Sequence, residues 1–390
     1  EIELVTRRST LGQYDLIATA TFGLESIVAR EVKKLGYEDV TTENARVIFK
    51  GDEEAISRCN LWLRSADRVF IRMGEFPATS FEELFERTKA LPWGDILPEN
   101  ANFPVQGKSI KSGLFSVPDC QAIVKKAIVE KMKQKYKRDW FEEDGPRFTI
   151  EVGLLKDIAT LTIDTSGAGL HKRGYRETAG GAPLKETLAS AMVDLSFWNP
   201  DRLLLDPMCG SGTIAIEAAM IGRNMAPGLR RQFDSEEWPF MPKAVWDKAR
   251  EEAEDAIDRT REFRILASDI DGRVLRTARQ NAELAGVEEF VAFQTLPLKE
   301  ISSKKKYGCM ITNPPYGERL GEVREAEALY KELAEVCKDL DTWSFYVLAS
   351  NKNFERIFGR KADRKRKLYN GRIQVDYYQF YGPRPPRREE

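Results

Sequence analysis

The stretch whose residue types best suit chemistry is Thr312-Asn313-Pro314-Pro315-Tyr316-Gly317. It follows the apolar run Cys309-Met310-Ile311, which reads as the end of a buried strand. Two successive prolines can neither donate to a strand ladder nor continue a helix, so the chain must leave the sheet in a fixed, extended turn. The turn presents the Asn313 carboxamide, the Pro314 carbonyl and the aromatic face of Tyr316. Two acceptors beside a stacking platform suit a planar group bearing an NH2, such as a nucleobase. A rigid strand-to-loop corner is the plainer reading, and a partner upstream decides between the two.

That partner is Asp206-Pro207-Met208-Cys209-Gly210-Ser211-Gly212-Thr213, set between the apolar Leu203-Leu204-Leu205 and a helical run through Met220. Strand, glycine-rich turn and helix make the first unit of a doubly wound α/β fold, whose ligands bind at the carboxyl ends of the strands. Gly210 and Gly212 let the backbone approach a ligand, and the helix N-terminus favours a negative group. The glycine spacing also fits the loose pattern of dinucleotide enzymes. S-adenosylmethionine is favoured over NAD because Asp206 lies just ahead of the glycines. A second strand, Arg264 to Ala267, then ends in Ser268-Asp269-Ile270-Asp271, with a carboxylate where ribose hydroxyls would lie. Asp206, Met208, Cys209, Gly210, Ser211, Gly212, Thr213, Asp269, Ile270 and Asn313 are the expected cofactor residues. Asp269 has a second reading as a helix cap for the segment starting near Gly272. The gap between the two strands exceeds a usual βαβ spacing, so 221–262 reads as an insertion carrying one charged helix with Trp246, Ala249, Ala253, Ala256 and Ile257.

Other elements must position these. Leu16 to Ala20 has an apolar strand pattern, a helix follows to Gly36, and 45–49 and 52–66 read as strand and helix. From Phe103 the pattern changes: Ser116-Val117-Pro118-Asp119 starts a helix whose apolar stripe is Ile123, Val124, Ala127, Ile128 and Met132. Its other faces carry lysines, among them Lys125, Lys126 and Lys133. Phe148 to Ile163 alternates as a hairpin turning at Lys156-Asp157. The Gly-rich 166–182 reads as a linker; its basic cluster includes Lys172, Arg173 and Arg176, and Lys361 to Lys367 is another such cluster. Clustered basic residues are either a solvated face or a phosphate-binding one.

Composition narrows the class. The 390 residues, 42% apolar and 32% charged, describe a globular chain long enough for two or three domains, and its net charge of −1 points to no partner. No apolar run approaches a membrane span, and the N-terminus lacks a signal-peptide pattern and a Met. Five scattered cysteines without a CxxC pair suit a reduced, cytoplasmic protein. His171, the only histidine, excludes a histidine-built zinc site, and in a linker it is expected to pack rather than react. No metal is expected.

Asp206 to Thr213 followed by Asn313-Pro314-Pro315-Tyr316 resembles the class I amino-methyltransferases. Three further stretches are similar to the THUMP-containing large-subunit rRNA guanine-N2 methyltransferases: Leu170 to Arg176, Ala182 to Ala189, and Lys367-Leu368-Tyr369-Asn370-Gly371. Residues 103–165 look like a THUMP domain, and the preceding unit is similar to the ferredoxin-like domain that accompanies it. The resemblance implies a class I (Rossmann-like) α/β methyltransferase domain over 183–390, an N-terminal α+β ferredoxin-like unit over 1–65, a THUMP RNA-binding domain over 66–165 and the linker 166–182. It implies methyl transfer from S-adenosylmethionine to a guanine N2 in large-subunit rRNA or a ribosomal assembly intermediate. Asn313, Pro314 and Tyr316 would be catalytic, and Lys125, Lys126, Lys133, Lys172, Arg173, Arg176, Lys365 and Arg366 would contact RNA. The alternatives are a tRNA guanine-N2 enzyme, an adenine-N6 enzyme, a protein-glutamine methyltransferase, or a non-catalytic assembly factor; a dehydrogenase ranks last. Some relatives carry a second C-terminal methyltransferase, which this chain is expected to lack. The family usually places an acid or amide after the third strand to hold the adenine amine. Here that region reads Val291 to Pro297, and Gln294 is the expected substitute.

Overall fold

Two seven-stranded sheets organise the computed structural model of the chain. It describes residues 12–176, 184–317 and 320–386; the expected linker residues 177–182, Ala182-Pro183 of the resembling stretch and the N-terminal 1–8 lie outside these. The chain divides into two units, one of 12–20, 28–170 and 232–252, the other of 21–27, 171–231 and 253–386. No described helix is long and apolar enough to cross a membrane.

The first unit is built from β1 (Tyr14–Thr19), α1 (Glu25–Lys34, whose first residues group with the second unit), β2 (Val40–Glu43), β3 (Arg46–Gly51) and α2 (Glu53–Trp62). It continues with β4 (Arg68–Pro77), α3 (Phe81–Ala90), β5 (Val105–Ile110), α4 (Val117–Tyr136), β6 (Ile150–Leu155) and β7 (Ile158–Asp164). The Asp52 and Ser80 side chains cap α2 and α3 by accepting the Ala55 and Glu83 N–H groups. Ser116 stands at the α4 cap position but makes no side-chain cap bond. Both Lys156 and Asp157 adopt positive φ, 49° and 63°, the conformation a two-residue hairpin turn requires. The expected boundary at 65/66 falls just before β4, which pairs with β1 on one side and β7 on the other. The ferredoxin-like and THUMP regions therefore share one sheet, ordered β2-β3-β1-β4-β7-β6-β5.

The second unit holds α5 (Glu186–Asp194), β8 (Leu204–Asp206), α6 (Thr213–Gly222), the end of α7 (Lys243–Asp255), β9 (Ile265–Asp269), α8 (Gly272–Ala285) and β10 (Val291–Thr295). Then come β11 (Cys309–Thr312), α9 (Leu320–Asp339), β12 (Ser344–Ala349), α10 (Phe354–Phe358), β13 (Arg364–Asn370) and β14 (Ile373–Phe380). Its sheet runs β10-β9-β8-β11-β12-β14-β13, with every neighbour parallel up to β12 and the β13–β14 hairpin added antiparallel. Strands β8, β11 and β12 are buried throughout, as strands covered on both faces must be. The sheet order reverses direction at β8, between β9 and β11, so the site belongs at the carboxyl ends of these strands.

The expected span 183–390 is not one body. Residues 232–252, read as part of an insertion in the methyltransferase region, group with the first unit. The cause is aromatic burial. Trp238, 1% exposed, stacks on Phe148 at 4.5 Å between centroids and 11° between planes, and donates Nε1–H to the Arg147 carbonyl at 2.8 Å. Ser235 adds a bond to the Thr165 carbonyl, and Lys248 pairs with Glu54 at 2.7 Å. Of the expected helix residues, Trp246, Ala249 and Ala253 are buried on α7, while Ala256 and Ile257 lie beyond its end. Trp238→Ala should destabilise the first unit by about 3–5 kcal/mol, the usual cost of emptying a buried aromatic site. Urea unfolding followed by the fluorescence of the remaining tryptophans measures it, and an unchanged midpoint would contradict this packing.

Candidate active site

The carboxyl end of β8 delivers Asp206 into the protein interior, 1% exposed. One of its oxygens accepts the Thr312 Oγ1–H at 3.0 Å and the Met208 N–H at 3.2 Å. Thr312 ends β11 and Met208 opens the glycine turn, so one carboxylate ties the two loops singled out above. Burial pushes the Asp206 carboxyl up to about 7, aided by the nearby Asp269 charge and opposed by its two hydrogen bonds.

The turn itself is fixed by backbone contacts. Gly212 N–H bonds the Cys209 carbonyl, and Cys209 N–H bonds the Ser268 carbonyl at the end of β9. Asp269 accepts the Gly210 N–H at 3.0 Å through one oxygen and the Asp271 N–H at 3.0 Å through the other. Asn281 of α8 donates to the Ser211 carbonyl at 3.1 Å. Gly212 has φ +84° and caps α6; a Cβ there would lie 3.2 Å from Ala278 and Phe293. Gly210 has φ +52°, and a Cβ there would project into open space. The cap of α8 is Asp271, whose side chain accepts the Arg273 N–H at 2.8 Å, so the capping role considered for Asp269 belongs two residues on.

One cavity of about 610 Å³ lies over these strand ends, a size suited to a small-molecule cofactor. It is lined by Met208 and Gly210 from the glycine turn, Asp269 and Ile270 from the end of β9, and Asn313, Pro314 and Tyr316 from the corner after β11. The two loops therefore open onto the same space. Asn313 Oδ1 is buried without a hydrogen-bond partner among the described residues. Tyr316 receives the Asn370 Nδ2–H on its hydroxyl at 3.2 Å, and burial pushes that hydroxyl up to about 12 although the Asn370 and Asn313 amides favour its ionised form. Tyr330 of α9 donates to the Pro315 carbonyl at 3.3 Å and braces the corner from behind.

Several expected cofactor residues stand behind the cavity wall rather than on it. Asp206, Cys209, Gly212 and Thr213 shape the turn, and Ser211 offers its carbonyl to Asn281. Gln294 is exposed near the end of β10 and does not line the cavity. The segment just after it does, through Leu296, Pro297, Leu298 and Lys299. Sequence reasoning also missed Leu329 and Glu332 on α9 and the site position of Asn370, although Asn370 sits in a stretch already singled out by resemblance. Among the described residues no cluster of His, Cys, Asp or Glu could hold a metal ion.

The expected RNA contacts divide. Arg173 is buried: its guanidinium lies 3.2 and 3.3 Å from the two Glu217 oxygens, and Tyr175 donates to the same carboxylate at 2.9 Å. Arg176, 12% exposed at its side chain, pairs with Glu186 at 3.1 Å and bonds Thr213. These two arginines clamp their segment to α5 and α6 and are not available to a phosphate. Arg366 donates to the Gly23 carbonyl and the Ser26 hydroxyl. Lys125 bonds Glu143 and the Phe103 carbonyl, Lys133 lies 3.2 Å from Glu130, and Lys365 lies 3.9 Å from Glu355. Lys126 and Lys172 are exposed, with no carboxylate partner among the described residues.

Residues 173–379 match the RMKL-like methyltransferase domain of the UPF0020 family. The chain belongs to that family. Residues 15–70 match the RlmL ferredoxin-like domain and 78–164 the THUMP domain. The candidate RNA methyltransferase YpsC of Bacillus subtilis (strain 168) is 53% identical over 380 residues, 97% of this chain and 98% of that one. A structure described as a candidate N6-adenine-specific DNA methylase from Listeria monocytogenes superposes with TM-score 0.92 at 53% identity, over 98% of this chain and 99% of that one. SMU.472, a candidate methyltransferase solved with SAH (S-adenosylhomocysteine), gives 0.92 at 48% identity over 96% and 100%. This UPF0020 member is a methyltransferase that uses S-adenosylmethionine. The residues present fit that cofactor: the cavity has the volume, the Gly210 backbone faces it with no side chain in the way, and Asn313, whose buried Oδ1 has no partner among the described residues, lines it.

The buried carboxyl has a consequence for stability. From about pH 4 to about pH 7 the folded chain holds the Asp206 proton that the unfolded chain has lost, so its contribution to stability falls as pH rises through that window and levels off above it. Asp206→Asn, whose carbonyl oxygen can still accept from Thr312 and Met208, should remove that fall. Urea midpoints at about pH 5 and about pH 8 test this: relative to the parent, the variant should gain stability at the higher pH. An equal difference at both would contradict the buried-carboxyl account.

Proposed function

We propose that the protein methylates the exocyclic N2 amine of a guanine in RNA, large-subunit rRNA or a ribosomal assembly intermediate being the substrate that the THUMP match and the resembling stretches favour. The observation that carries this reading is the orphaned Asn313 oxygen in the cavity wall. A buried acceptor left unpaired costs about 1–3 kcal/mol, and a donor arriving with the substrate recovers that cost. An amino group is such a donor.

S-adenosylmethionine supplies an electrophilic methyl group. Asn313 Oδ1 and the Pro314 carbonyl each accept one hydrogen of the guanine amine and so fix the orientation of its nitrogen. A guanine N2 lone pair is delocalised into the ring, and this orientation directs it out of that conjugation. Once methylated, the nitrogen becomes acidic and sheds its proton late, so no strong base is needed. Tyr316, its hydroxyl held by Asn370, offers a ring face for the flipped base; such stacking contributes about 1–3 kcal/mol. Exposed Lys126 and Lys172 supply salt-dependent attraction to phosphates. An RNA substrate and five unpaired cysteines suit a cytoplasmic enzyme.

The Listeria relative's description favours a second reading, an adenine N6 amine, which presents the same two hydrogens. Product analysis separates the two: nuclease digestion and mass spectrometry of RNA methylated in vitro should yield N2-methylguanosine and no N6-methyladenosine. Asn313→Ala should abolish turnover on rRNA from cells lacking the gene while S-adenosylmethionine binding, measured by calorimetry, survives. Parent-like turnover would remove Asn313 from the mechanism. Reversing charge at Lys126 and Lys172 together should flatten the dependence of log affinity on log salt by about 0.7–0.9 for each phosphate no longer neutralised. An unchanged slope would assign both lysines to a solvated surface.

A further inference from the structure

An adenine held in a protein site needs an acceptor for its 6-amino hydrogens. Gln294, the residue expected to provide one, is exposed and stands outside the cavity's lining. Only two carboxylates line the cavity among the described residues, Asp269 and Glu332. Asp269, whose two oxygens also accept one backbone N–H group each, is assigned to the ribose. Glu332 is half-buried, and among the described residues it has neither an ion pair nor a hydrogen-bond donor.

The order of the strand ends says where the adenine must lie. Across the cavity they run β11, β8, β9, β10. A cofactor whose methyl reaches Asn313 after β11 and whose ribose meets Asp269 at the end of β9 has its base at the β10 side. The wall there is apolar: Ile270, Leu296, Pro297 and Leu298 suit the two faces of a purine. Helix α9 packs against the 3-10 turn Leu298–Glu300, which follows β10 in the chain. It brings Leu329 and Glu332, three residues apart and so on one helix face, into the lining. The Tyr330 bond to the Pro315 carbonyl fixes the helix against the corner between them.

We infer that the Glu332 carboxylate accepts the 6-amino hydrogen of the cofactor's adenine, supplying from α9 the side-chain acceptor that Leu296 to Lys299 lack. The inference rests on Asp269 as the ribose contact. It makes Glu332 a cofactor-specificity residue, because a 6-oxo purine would place a carbonyl oxygen against the carboxylate.

Calorimetry on the intact chain with S-adenosylhomocysteine and S-inosylhomocysteine tests it. The parent should prefer the adenine compound by about tenfold or more, the range a hydrogen bond to a charged group supports. Glu332→Gln should weaken S-adenosylhomocysteine and narrow the preference, since an amide N–H can donate to the 6-oxo group. Glu332→Ala should weaken binding and narrow the preference as well. Parent-like affinity in both variants, or weaker binding with the preference intact, overturns the inference, and the second result would mark a merely structural role. Lost methylation with unchanged affinities overturns it too, by placing Glu332 against the substrate. Asp269→Ala separates the underlying site reading: unimpaired binding there overturns both, whereas impaired binding there with parent-like Glu332 variants overturns the adenine contact alone.

Discussion

A single buried carboxylate holds the site together. Asp206 is the last residue of β8, and through it the start of the glycine turn and the last residue of β11 share one acceptor. Taking a carboxyl out of water is unfavourable to its charged form, and the upward push on its ionisation expresses that cost. What the arrangement gains is position. Thr312 immediately precedes Asn313, so the bond that satisfies Asp206 also fixes where the carboxamide begins.

The rest of the second unit reinforces the same geometry from outside. Asp269 clamps the Gly210 amide, Asn281 clamps the Ser211 carbonyl, and Tyr330 clamps the Pro315 carbonyl. Helix α6, which starts on Gly212, is fastened by its one acidic residue, Glu217, to Arg173, Tyr175 and Ser190. A buried ion pair of this kind is weak support for stability but leaves a costly unpaired charge if either partner is lost, so it enforces one arrangement. Asn313 Oδ1 is one of the buried atoms in this unit without a partner among the described residues, with Ser268 Oγ, Arg176 Nε and Glu186 Oε2, and of these four residues Asn313 alone lines the cavity.

Much of this was legible in the residues because the signals are local. Proline pairs, glycine turns and short apolar runs fixed the ends of β8, β9 and β11 and the helices after the first two. What escaped depended on partners far along the chain. The basic stretch Lys172 to Arg176 reads as a surface cluster until Glu217, an acid within an otherwise apolar helical run, is recognised as needing a buried cation. Residues 232–252 looked like a decoration of their own region, and nothing in their periodicity says that Trp238 will stack on Phe148. Helix α9 carries several glutamates, and spacing cannot say that Glu332 is the one facing the cavity. Gln294 was chosen from its place in the chain, but the direction of its side chain depends on how an edge strand leaves the sheet.

The central claim is spatial: the methyl donor and the amine acceptor share the cavity between the glycine turn and the proline corner. The most direct measurement is a crystal structure of this chain with S-adenosylhomocysteine. The account predicts the thioether sulfur facing Asn313 Oδ1 across a gap that fits one methyl group and one nitrogen, the ribose at Asp269 and the adenine at the β10 end. A ligand seated with its sulfur turned away from Asn313, or outside this cavity, would contradict it.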